Sequence, residues 1–138
     1  MSPKRIKQRW EDFEKALERL QEGLNEDPSL SSTIIDGTIQ RFEFTFELAW
    51  KLGGDVLEYS GIEANNPRSV IKELFKEKMI QDGEAWIRML EDRNKTSHVY
   101  DENQAKIIYD KIKRNYYRLL EEFKHKLLPV VAEIKETY

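Results

Sequence analysis

There is no cysteine in this sequence. Its absence excludes a disulfide framework, cysteine-ligated zinc, an iron–sulfur cluster and a thiol nucleophile, and it permits a cytoplasmic home. Long apolar runs are missing too. No stretch approaches the roughly 20 uninterrupted apolar residues of a membrane span, and the N-terminus reads as charged helix from Pro3, so a soluble chain with no membrane partner is expected. Histidine is scarce, with two copies, and any imidazole chemistry rests on His98 or His125. Net charge is small: 23 Lys and Arg against 26 Asp and Glu give a formal -3, so no global field draws the chain to nucleic acid and any RNA contact must be local.

What remains is helical. The 138 residues suit one domain spanning 1-138, and only six glycines and four prolines interrupt apolar residues spaced three and four apart. A first helix is predicted from Pro3 to about Glu26, with Ile6, Trp10, Phe13, Leu17, Leu20 and Leu24 on one stripe. Ser31 or Ser32 caps a second, from about Thr33 to Tyr59, along Ile35, Ile39, Phe42, Phe46, Ala49, Gly53 and Val56, with Gly61 as its natural stop. This helix has another apolar row, Phe44, Leu48 and Leu52, which points to a central helix or one shared with a second subunit. Arg41 is the odd member of that row and reads as a snorkelling or interface arginine, while Gln40, Glu43, Glu47 and Lys51 form a solvated or salt-bridged edge. Gly53-Gly54 points to a close helix crossing or a kink.

Asn66-Pro67 opens a third helix with Val70, Ile71, Leu74 and Phe75 inward, and Asp82 caps a fourth carrying Trp86, Met89, Leu90 and Arg93. Asp101 with Gln104 has the spacing of a capping box for a fifth, which runs through Ile108, Ile112, Tyr116, Leu119 and Phe123 to a break near Pro129. Lys106, Lys111, Lys113, Arg114 and Arg118 concentrate basic charge on it, either as a local RNA contact or as a solvated face.

The densest polar segment is Arg93-Asn94-Lys95-Thr96-Ser97-His98-Val99-Tyr100. Five positions of unbroken helix turn through about 500°, leaving Arg93 and His98 some 140° apart. They converge only if the helix ends near Ser97 or if two chains face each other. Basic residues in a last turn complement the helix dipole and bond its free carbonyls, so a helix-end role is one reading. Phosphate chemistry is the other. A guanidinium gives bidentate hydrogen bonds to phosphate and an imidazole exchanges protons near neutrality, which suffices to drive a ribose 2′-hydroxyl onto its phosphate without a metal or other cofactor. His125 follows Glu122 in a Glu-x-x-His pair, but a di-iron bundle needs a second copy that is missing, and a surface role is expected.

R-N-K-T-S-H-V-Y resembles the R-x4-H-x-Y motif of the HEPN superfamily in its HepT-like branch. Gln40-Arg41-Phe42-Glu43-Phe44-Thr45-Phe46-Glu47-Leu48-Ala49-Trp50-Lys51 and Trp86-Ile87-Arg88-Met89-Leu90 resemble the nucleotidyltransferase substrate-binding proteins. The resemblance implies an all-α, antiparallel up-and-down four-helix bundle with an additional helix. It implies a homodimer or higher homo-oligomer in which paired motifs face a cleft, and an endoribonuclease toxin of a toxin–antitoxin pair. Arg93 and His98 would be catalytic, Asn94 would hold the phosphate or the histidine, and Tyr100 would receive AMP from a partner minimal nucleotidyltransferase; Lys95 beside Asn94 is a further candidate phosphate or substrate contact. AMP there would set bulk and negative charge two residues from His98 and silence the toxin. The alternative is a non-catalytic substrate-binding subunit of a nucleotidyltransferase complex. The chain has no phosphate-cradling glycine loop and no acidic metal triad, so it is not expected to be the nucleotidyltransferase itself.

Overall fold

In a computed structural model, which describes residues 2–98 and 101–134, six α-helices follow one another. The helix α1 (Pro3–Asn25) starts on Ser2, whose side chain accepts from the Arg5 N–H, with Pro3 in the first turn where its missing donor costs nothing. Its predicted stripe is buried from Ile6 to Leu24. The helix α2 (Ser32–Tyr59) is capped by Ser31, and Gly61 beyond it adopts φ +86°, the left-handed conformation that ends a helix most cheaply on glycine.

Aromatic rings show how the bundle closes. Phe13 of α1 meets Phe123 at 6.0 Å, Trp86 meets Phe123 at 5.2 Å, and Phe46 of α2 meets Trp86 at 6.2 Å between centroids. Thus α1, α2, α4 (Gly83–Lys95) and α6 (Tyr117–Glu133) converge on one centre, the core of a four-helix bundle. The additional helix is α3 (Pro67–Lys76), capped by a reciprocal Asn66–Ser69 box. It crosses α2 at the glycine pair: a Cβ on Gly53 would stand 2.8 Å from Leu74 Cδ1. The close crossing read from Gly53-Gly54 is therefore present, and α3 supplies the side chains that occupy it.

Three local expectations are corrected. Phe75 is 52% exposed instead of inward; it lies over Gly83, where a Cβ would come within 3.2 Å of its ring. The second apolar row of α2 divides, with Leu52 fully buried under the bundle and Phe44 62% exposed. Finally, the chain after Asp101 is not one helix broken at Pro129. It runs as α5 (Glu102–Lys111), a π turn (Ile112–Tyr116) and α6, which continues through Pro129 to Glu133. Proline removes one i→i−4 bond, but Pro129 and His125 are exposed, so water can satisfy the freed His125 carbonyl, while Val131 and Ile134 still gain burial. Among the described residues no helix is long and apolar enough to cross a membrane.

Candidate functional site

The last turn of α4 is held from several sides. Asp82 starts the helix by accepting from the Ala85 N–H at 3.0 Å, and Ala85, Trp86 and Met89 bury its inner face. At the other end Thr96 returns both its N–H and its hydroxyl to the Arg93 carbonyl, the hydroxyl at 2.6 Å. The chain then tightens into a 3-10 turn over Thr96–His98, so the α-helix does end before His98. The side chain of His98 and the whole of Tyr100 lie outside the described residues. Asn94 and Lys95 are exposed on the last turn.

Arg93 reaches back across the bundle. Its Nη2 stands 3.3 Å from Glu47 Oε2 of α2, with the two side chains 29% and 34% exposed. A pair this open is worth about 0–1 kcal/mol, so it orients the guanidinium more than it stabilises the fold. The Nε atom is buried and has no hydrogen-bond partner among the described residues. An unsatisfied donor of this kind is costly and uncommon, and it belongs to the planar fork that matches a phosphate or carboxylate.

The guanidinium borders a groove of 670 Å³ between α1 and α2, whose walls include Arg19, Arg41, Glu43, Phe44 and Glu47. Arg41, odd in the sequence pattern, ties two helices together: its Nη1 donates to the Arg19 carbonyl at 2.7 Å. Beside it Phe44 leaves an aromatic face open to solvent. The groove thus joins three guanidinium groups, two carboxylates and an exposed ring.

On the inner side of the same turn Asp92 is buried, and its Oδ2 accepts from the Tyr116 hydroxyl and stands 3.2 Å from Lys111 Nζ. The Tyr116 ring stacks on Phe42 at 5.7 Å and 17°. Burial first, then the hydrogen bond to Asp92 and its charge, push the Tyr116 hydroxyl well above the ordinary tyrosine range. Tyr117 is pushed up to about 12, by burial and then by Glu121. Because the folded state resists ionisation while the unfolded tyrosines ionise near pH 10, this contribution is intact below about pH 10 and is lost as pH rises through the folded value. The urea midpoint should therefore fall between about pH 9 and 11, and fall less in Tyr116→Phe; equal slopes would refute this.

Sequence reasoning placed Tyr116 only as a core aromatic and did not single out Asp92. A signal existed: Ala85, Met89 and Asp92 share one helical face, which puts a carboxylate on an apolar stripe. Glu47, read as part of a solvated or salt-bridged edge, is the residue that meets Arg93. Of the basic residues after Asp101, Lys111 is committed to Asp92, Lys113 lies 5.9 Å over the Tyr109 ring and Arg118 is 4.0 Å from Glu122. His125 is exposed.

Comparison with known proteins decides the family. Residues 8–128 match the model described as nucleotidyltransferase substrate binding protein like. The chain belongs to that family. Arg93, His98 and Tyr100 all fall inside the matched span of this nucleotidyltransferase substrate binding protein like chain. A Haemophilus influenzae protein named probable ribonuclease HepT is 34% identical over 91 residues, 62% of each chain, so the match spans less than two thirds of that relative. A crystal structure from Thermus thermophilus superposes with a TM-score of 0.77 at 36% identity, covering 84% of this chain and 98% of that one. Another structure, from Haemophilus influenzae and described as revealing the fold of a substrate binding domain of a nucleotidyltransferase, aligns with a TM-score of 0.65. Its identity is 22%, over 91% of this chain and 98% of that one, and it speaks for the fold alone.

Proposed function

We propose that this chain is a metal-independent endoribonuclease, the toxin of a toxin–antitoxin pair, silenced when a partner nucleotidyltransferase transfers AMP to Tyr100. The observation that carries the reading is Arg93: a guanidinium oriented by Glu47, its buried Nε without a partner among the described residues, five residues before a histidine and beside a groove lined by Arg19 and Arg41. The relative named probable ribonuclease HepT supports it. In this reading Arg93 binds the scissile phosphate through its fork, with Asn94 and Lys95 adding contacts at the helix end. His98 takes the proton of the ribose 2′-hydroxyl as its oxygen attacks phosphorus, and the bond to the 5′-oxygen breaks as that oxygen takes up a proton, leaving a cyclic phosphate. The open Phe44, on the rim of the groove that holds Arg93, supports pairing of two copies there, which would bring two such half-sites together.

The test is cleavage of single-stranded RNA by the purified chain. His98→Ala should lose about 10²- to 10⁴-fold in kcat, the usual contribution of a positioned acid or base. Equal cleavage by wild type and His98→Ala would remove the histidine from the mechanism. A non-catalytic subunit that presents its tyrosine to the nucleotidyltransferase is the second reading, favoured by the family's description and by the carboxylate of Glu47 already facing Arg93. It predicts a stable complex, modification at Tyr100 and no RNA cleavage by either form.

A further inference from the structure

Consecutive residues at the end of α4 are tethered in different directions. Arg93 points toward α2 and Glu47, whereas Asp92, about 100° around the helix, points into the core and is bound to the π turn through Tyr116 and to Lys111 at the end of α5. Two such tethers fix the rotation of the helix terminus about its axis, which one cannot do. We infer that Asp92 and Tyr116, helped by Lys111, are positioning residues that set how the α4 terminus is turned and so aim the Arg93 guanidinium at the groove. The inference rests on the ribonuclease reading above.

Three observations carry it. A buried carboxylate is an expensive residue to set on the helical face that Ala85 and Met89 bury, where an apolar side chain of similar size would carry no desolvation cost. The charge is nevertheless well met, by a hydroxyl and an ammonium on the same oxygen, and a satisfied buried network of this kind specifies one arrangement over its neighbours. The hydroxyl is itself immobilised, because the Tyr116 ring is buried and stacked on Phe42, a fully buried residue of α2. The segment that supplies it is a π turn closed by the Tyr117 N–H on the Ile112 carbonyl, a wider and less favourable turn than the α-helix on either side. Thus α2 holds Arg93 directly through Glu47 and indirectly through Phe42, Tyr116 and Asp92. Neither Asp92 nor Tyr116 lines the groove, so the effect on RNA passes through Arg93.

Tyr116→Phe is the discriminating variant, since it keeps the ring stacked on Phe42 and removes the hydroxyl alone. A misplacement of about 1 Å can cost on the order of 10²-fold, so kcat for single-stranded RNA should fall about 10- to 100-fold with KM within about two-fold of wild type. Asp92→Asn should behave alike. A second readout does not depend on cleavage: the Arg93 Nε–H resonance of the full-length 15N-labelled protein, assigned by its loss in Arg93→Lys, should shift in Tyr116→Phe. Wild-type kcat and an unmoved Arg93 resonance in folded Tyr116→Phe, with Arg93→Ala inactive, overturn the inference. If wild type itself does not cleave RNA, the ribonuclease reading fails, and the Arg93 resonance alone decides: a shift retains the tether and no shift refutes it. Should Asp92→Asn fail to fold, Tyr116→Phe carries the test.

Discussion

Arg93→Ala is expected to cut RNA cleavage by on the order of 10²- to 10³-fold, the range seen when one preorganised donor to a developing oxyanion is removed. The loss has two parts. The fork that binds phosphate disappears, and Glu47, left without its cation at 3.3 Å, faces the groove as a free negative charge that repels the incoming backbone. Arg93→Lys should recover little, because a point charge neither spans two phosphate oxygens nor restores the planar fork. Adding Glu47→Gln to Arg93→Ala should return part of the lost RNA affinity by removing the repulsion. Steady-state kinetics of the three variants, with circular dichroism to verify folding, checks the scheme. Full cleavage by Arg93→Ala would take the arginine out of the chemistry. The fold should survive, since the exposed ion pair contributes little and the α4 terminus keeps its Thr96 and Asp92 anchors.

Trp86→Ala should have the opposite profile, with stability lost first and activity only as a consequence. Trp86 is 2% exposed and touches Phe46 of α2 and Phe123 of α6, so its removal opens a void where three helices meet. Truncating a buried tryptophan costs about 3–5 kcal/mol, to be set against a total stability of about 5–15 kcal/mol for a typical domain. A chain of this size should lose roughly 10–20 °C in Tm. Calorimetry of the two proteins measures it directly, and a loss below about 1 kcal/mol would mean that the neighbouring rings collapse into the space. Trp86→Phe, which leaves a smaller cavity, should fall in between.

These two residues also mark what could be read from the sequence. Trp86 lay on a stripe of helical period bounded by a cap at Asp82, and such patterns report burial well because one amphipathic helix must face its core. The same logic located α1, α2, α3 and the start of α5, along with the glycine pair where α3 crosses. It failed where tertiary contacts overrule local preference. Pro129 reads as a stop, yet its exposed position and the burial of Val131 and Ile134 carry α6 past it. Phe75 reads as core, yet the inner face of α3 is already filled by Val70, Ile71 and Leu74. At the candidate site, spacing singled out Arg93 and His98 and left two routes to bring them together, a helix end near Ser97 or a facing second chain; the structure has the helix end. The pairing with Glu47 46 positions upstream, and that of Asp92 with Tyr116 24 positions downstream, depend on how helices stack and have no local signature.

That last separation matters for a chain made from one end. Ribosomal synthesis delivers α1 and α2 before the rest of the bundle, and the bonds between them, Arg9 to Asp55, Arg41 to the Arg19 carbonyl and Thr45 to the Ala16 carbonyl, need nothing made later. Arg93 follows, but Tyr116, its neighbour's anchor, emerges 24 residues after Asp92, with the buried α6 residues Phe123 and Leu127 later still. A nascent chain that ends before Tyr116 therefore carries Arg93 and Asp92 without the hydroxyl that Asp92 binds. On the positioning role inferred for Tyr116, the candidate site is completed only once the π turn has emerged.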